Sequence, residues 1–186
     1  MNYGGEAKGG KFMSDPETPD FDSVALDSHV RHKCSPEFDQ FDTKVKGIKI
    51  NAPDEIEATF DEEEKIVSPF TRFPVCIAMQ FPLKNMLNYA QPRSLITLVM
   101  VNKTTGESFS GNLSYSRPMG PSPKMDLPEK IIETRVQRYY YNVNLCRYLR
   151  LPAAPGTYFL YATFEEYKSN TLTVNLKEKK TRRGKP

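Results

Sequence analysis

The chain has no tryptophan, only two histidines and only three cysteines, and each shortage removes a class of function. Nucleophilic catalysis needs a base beside a Ser, Cys or Thr, yet both imidazoles, His29 and His32, lie in a polar N-terminal stretch. Neither a Gly-x-Ser-x-Gly turn nor a glycine-rich phosphate loop occurs. Cys34, Cys76 and Cys146 are odd in number and irregularly spaced, which argues against a disulfide scaffold and for a reducing, intracellular compartment. No window approaches the roughly 18 apolar residues of a transmembrane helix. The N-terminus also lacks the apolar core of a secretory signal. A net charge of +3 is too mild to argue for nucleic acid. The adjacent acidic residues Glu62, Glu63, Glu64, Glu165 and Glu166 fall in expected turns, where carboxylates are simply well solvated. Neither an enzyme nor a cofactor is therefore expected.

What the chain does have is 11 Phe, 10 Tyr and 15 Pro in 186 residues, the balance of an all-β protein with many turns. Its organisation reads in three parts. Residues 1–43 form a polar leader too poor in apolar side chains to repay its own ordering entropy. Val24-Ala-Leu26 and the pair Phe38 and Phe41 are its points able to dock. Residues 44–177 follow a period of two, and residues 178–186 form a basic tail without an apolar side chain.

Within the middle part, Ile56, Ala58 and Phe60 alternate with Glu55, Glu57 and Thr59, which predicts a half-buried strand. Val75, Ile77, Met79 and Phe81 share one face of the next strand. The small Cys76 and Ala78 on its other face predict cover on both sides. The apolar run Ser94–Val101 reads as a central strand, joined through Asn102–Gly106 to a partner over Glu107–Leu113. Four prolines in the fourteen residues Tyr115–Pro128, the last included, exclude helix and central strand, leaving a long surface connection. Tyr139, Tyr141, Val143 and Leu145 share the face of a further strand. The final hairpin is predicted from Thr157 to Phe164 and from Thr171 to Leu176. The sum is an antiparallel β-sandwich of about seven to eight strands.

Leu151, Pro155, Gly156 and Tyr158, followed by an alternating strand, resemble the corner before the penultimate strand of immunoglobulin-like and fibronectin-type-III-like sandwiches. The resemblance covers the C-terminal stretch from Tyr139 to Leu176. It implies that the Tyr158 hydroxyl hydrogen-bonds back to the upstream backbone. It does not extend to antibody-type domains, because the core Trp is missing and the penultimate strand offers Cys76 no cysteine partner.

Three readings of function follow. The first is a non-enzymatic protein–protein interaction or structural module of a larger assembly, binding a protein partner or itself. It presents the loop 115–128, edge strands and flexible ends, with Pro118, Met119, Pro121, Pro123 and Met125 in the loop and Lys179, Lys180, Arg182 and Arg183 in the tail as contact residues. The tail can touch phosphates only non-specifically, since no aromatic interleaves for base stacking. The second is a carbohydrate-binding accessory domain using exposed tyrosines, Tyr140 above all. In the third, His29, His32 and Cys34, with Asp27 as a fourth ligand, hold zinc or copper, although Arg31 and Lys33 oppose a dication.

Overall fold

The structure is a computed structural model that describes residues 19–38, 45–89, 91–114 and 127–179. The first strand, β1 (Gly47–Asn51), starts at a glycine with φ of 150°, a value that side-chain-bearing residues rarely adopt. Next come β2 (Glu55–Ala58), β3 (Phe60–Asp61) and β4 (Ile66–Val67). The long strand β5 (Pro74–Pro82) leads into a single helical turn, α1 (Leu83–Met86). A 3-10 turn over Pro92–Leu95 then precedes β6 (Ile96–Asn102) and β7 (Ser108–Asn112). Helix α2 (Glu129–Thr134) runs into β8 (Val136–Asn144), and Leu145–Arg147 forms a 3-10 turn. The chain closes with β9 (Gly156–Phe164), β10 (Tyr167–Lys168) and β11 (Leu172–Glu178).

These strands make two main sheets. One has the order β1-β5-β8 and is wholly antiparallel. The other has the order β2-β11-β9-β6-β7, with β10 on β9, and among the described residues its only parallel pairing is β2 with β11. The expected alternation of β5 is realised: Val75, Ile77, Met79 and Phe81 enter a single core that also takes Leu98 and Met100 from β6, Tyr158 and Leu160 from β9, and Val174 and Leu176 from β11. Phe81 and Phe164 bring the two sheets together at a ring-centroid distance of 5.1 Å.

The expected strand through Phe60 is broken. At Thr59 the chain leaves the six-stranded sheet, and the backbone N–H of Thr59 goes instead to the Thr71 hydroxyl at 3.0 Å. The acidic run then caps its own turn, with Asp61 Oδ1 accepting from the N–H of Glu63 and of Glu64, both at 3.0 Å. At the Pro-Gly corner, the fully buried Tyr158 donates its hydroxyl to the Ala154 carbonyl at 2.9 Å. Burial raises the pKa of that phenol.

Candidate interaction surfaces

Residues 19–38 contain no strand of their own but lie against the outer side of the three-stranded sheet. The reason is on β5. Cys76, Ala78 and Gln80, on the face turned away from the core, are all buried. Small side chains there let a second backbone approach, and Val24 and Cys34 pack onto Cys76, flanked by Phe21 and Leu26. The leader's carbonyls are met by side-chain donors from the body. Arg72 Nη2 reaches the carbonyls of Phe21, Asp22 and Val24 at 3.1, 2.9 and 2.7 Å. Asn51 Nδ2 donates to the Cys34 carbonyl at 3.0 Å, and Lys49 Nζ to that of Glu37 at 2.9 Å, with Lys49 also lying over the Phe38 ring. On the edge of β8, Asn142 donates its backbone N–H to the Ser28 carbonyl at 3.0 Å and its side-chain amide to Ser28 Oγ and to the Val30 carbonyl. Backbone that would be costly to bury is satisfied in this way without a ladder of its own.

This docking sends the expected metal ligands in different directions. His29 stacks edge-on against Tyr141, and its Nε2 lies 3.4 Å from Arg93 Nη1. Burial and the Arg93 charge lower its pKa, and the same charge repels a cation. His32 has both ring nitrogens engaged, Nδ1 accepting from the Cys34 N–H and Nε2 meeting Ser23 Oγ, each at 3.2 Å. Cys34 turns inward, where burial raises its thiol pKa. Asp27 pairs with Arg147. Among the described residues, no group of three or more His, Cys, Asp or Glu is placed to hold a metal ion.

Sequence reasoning missed Arg93, which emerges from a short 3-10 turn and is buried. It donates to Tyr148 Oη at 2.5 Å, and Asp27 Oδ1 stands 4.0 Å away. The arrangement ties leader, β6 approach and the Leu145–Arg147 turn to one another. The tyrosine run divides as strand geometry requires. Tyr139 and Tyr141 stack on the core side with centroids 6.3 Å apart, while Tyr140, opposite Ala78, stands half-buried beside Arg31, Glu37, Phe38 and Arg138.

The outer face of the six-stranded sheet is different, because the described leader residues 19–38 pack on the other sheet. Tyr161 on β9 sits opposite Val99 on β6, and Phe159 opposite Val101, so four apolar side chains form one patch outside the core. All four are only partly buried. Thr97, Thr163 and Thr173 border it through the same registers. Two lysines lie over its rings: Lys168 Nζ is 4.0 Å from the Tyr161 centroid and Lys103 Nζ is 5.8 Å from that of Phe159. At one margin Lys177 pairs with Glu55 at 2.5 Å.

Two open clefts accompany these surfaces. One of about 460 Å³ lies between Pro19–Asp22, β2 and Arg72, with Lys179 at its rim. The other, of about 270 Å³, runs between β4 and the turn after β8. Of the expected contact residues, Lys179 is exposed and donates its N–H to the Ala58 carbonyl at 2.8 Å. Pro118, Met119, Pro121, Pro123, Met125, Lys180, Arg182 and Arg183 lie outside the described residues, as does Phe41. No helix among the described residues is long and apolar enough to cross a membrane. Comparisons with protein-family models, with curated proteins and with solved structures return no match.

Proposed function

We propose that this protein is a non-enzymatic module, an immunoglobulin-like β-sandwich by architecture, that binds another protein through the open outer face of its six-stranded sheet. The contrast between the two sheets carries the reading. One outer face is sealed by the chain's own residues 19–38, whereas the other leaves Val99, Val101, Phe159 and Tyr161 accessible in one patch. A flat apolar centre with a polar rim suits a protein partner. The lysines at 103 and 168 favour one whose matching surface is acidic.

The same lysines argue against the sugar-binding alternative. Stacking on a sugar needs a bare ring face, and the Tyr161 face is occupied by an ammonium at 4.0 Å. Tyr140 has the leader and Arg138 beside it.

The test compares the wild-type chain with a Val99→Glu/Tyr161→Glu variant of unchanged melting temperature, both used to capture partners from their native cellular extract. Partners held by the wild type and released by the double variant are the expected result. An identical set on both baits sinks the proposal, and retention of the wild type on insoluble polysaccharide would favour the alternative.

A further inference from the structure

Across the outer face of the three-stranded sheet runs one rung, Asn51 on β1, Cys76 on β5 and Asn142 on β8. The two asparagines are the ladder partners of Cys76, so their side chains leave the sheet on the same face as its thiol. Both amides hold the leader. Asn51 Nδ2 donates to the Cys34 carbonyl at 3.0 Å, and Asn142 Nδ2 donates to Ser28 Oγ at 2.9 Å and to the Val30 carbonyl at 2.8 Å. The leader is thereby fixed on both sides of Cys76, and it lays Cys34, with Val24, on that thiol.

Cys34 sits in a closed turn. The Ser35 N–H donates to the His32 carbonyl at 2.9 Å, the His32 N–H to Ser35 Oγ at 2.9 Å, and the Cys34 N–H to His32 Nδ1 at 3.2 Å. A backbone bonded three times over holds its side chain in one direction, here inward, where both Cys34 and Cys76 are buried. Of the three cysteines these two pack in one cluster, whereas Cys146 belongs to the central core.

We propose that Cys34 and Cys76 form a reversible disulfide, by exchange with a glutathione-type disulfide, that fastens residues 19–38 to the three-stranded sheet. This is not a scaffold bridge, since the fold is complete with both thiols reduced. While the leader lies down the pair is protected: burial raises both thiols, Cys76 to about 12. With the leader lifted, Cys34 meets solvent beside Arg31 and Lys33, whose charges favour its thiolate. That thiolate attacks one sulfur of oxidised glutathione, the S–S bond breaks, and one glutathione thiolate leaves with the electron pair. Cys76, its proton given to solvent, then attacks Cys34 Sγ and expels the second glutathione thiolate. The two released thiolates take up the protons that the cysteines lost. One disulfide is made, one is consumed and two glutathione thiols result. Excess reduced glutathione runs both steps backwards.

The experiment holds the full, natively folded chain in excess oxidised glutathione at about pH 8, followed by acid quench, alkylation and peptide mapping by mass spectrometry. A Cys34–Cys76 linked peptide is expected, with Cys146 recovered as the alkylated thiol. Hydrogen exchange supplies the second reading. The Asn142 N–H is bonded to the Ser28 carbonyl under the leader, so its exchange should slow by about 10-fold or more in the bridged chain and recover in reduced glutathione. Cys34→Ser should keep its Asn142 rate constant in both buffers. A chain that yields only mixed disulfides with glutathione, a bridge that involves Cys146, or a Cys34–Cys76 bridge that leaves the Asn142 rate unchanged each overturns the proposal. Val99→Glu/Tyr161→Glu should bridge as the wild type does, which separates this result from the test of the sheet face.

Discussion

Replacing Arg72 by methionine removes the guanidinium that meets the carbonyls of Phe21, Asp22 and Val24 while keeping an aliphatic stem. A hydrogen bond from a charged donor is worth about 1.5–3 kcal/mol where buried. These three share one nitrogen and two are at exposed positions, so about 2 kcal/mol in all is the appropriate figure after solvent screening. That corresponds to a rise of about 30-fold in the population with the leader lifted. Cys76 reports on that population directly, because it lies under the leader with no accessible surface and burial pushes its thiol up to about 12. Native-state alkylation must then proceed through opening, at a rate proportional to the open fraction. In Arg72→Met, Cys76 should react about 30-fold faster, whereas Cys146, which belongs to the central core, should change by less than about 2-fold. An unchanged Cys76 rate would refute the clasp. Equal acceleration of both thiols would refute it as a local device.

Two further predictions concern the body of the fold. A Cβ added at Gly111 would stand 2.0 Å from the backbone oxygen of Tyr148, so Gly111→Ala forces the turn after β8 to move. It should cost about 3 kcal/mol, seen by calorimetry as a melting temperature lower by about 6–12 °C, and a shift below about 2 °C would contradict the packing. Alkaline pH supplies the other test. Burial pushes Cys76 and Cys146 up to about 12, so above about pH 9 the unfolded chain loses thiol protons that the folded chain keeps. The stabilisation is fully present below that pH and falls by about 1.4 kcal/mol per pH unit for each thiol as pH rises toward 12. Urea unfolding at about pH 8, 9 and 10 should show the decline, and Cys76→Ala should remove part of it; a flat profile would count against both burials.

The parts of the fold that were legible are those whose burial repeats every second residue. Strand β5 announced both faces, Val75 to Phe81 on one and Cys76 with Ala78 on the other, and the β6–β7 hairpin announced its Asn102–Gly106 turn. The docking of residues 19–38 was legible at its apolar points, since Val24 and Phe38 are buried as expected, but its polar contacts were not, because they depend on single donors such as Arg72, Asn51 and Asn142 meeting backbone carbonyls, and such contacts leave no period. What the sequence did carry was the need for a cover, in the small residues on the outer face of β5. The break at Thr59 was hidden because Phe60 continues the alternation after the chain has changed neighbours. Val99 and Val101 fall in the run expected to be a central strand and Phe159 and Tyr161 in the final hairpin, but alternation cannot say which of two half-apolar faces meets solvent.

The parallel pairing of β2 with β11 has a consequence for how the protein is made. Strand β11 occupies an interior place in its sheet, between β2 and β9, although it is the last strand of the described residues to be synthesised. On a translating ribosome, Glu55–Ala58 therefore waits roughly a hundred residues for its neighbour, about 5–20 s at usual elongation rates. At the end of that interval, once Phe164 has been made, β9 also presents an unfilled edge. A nascent or prematurely ended chain lacking Leu172–Glu178 carries two open strand edges where the finished protein has none at that position, and is the form most exposed to aggregation.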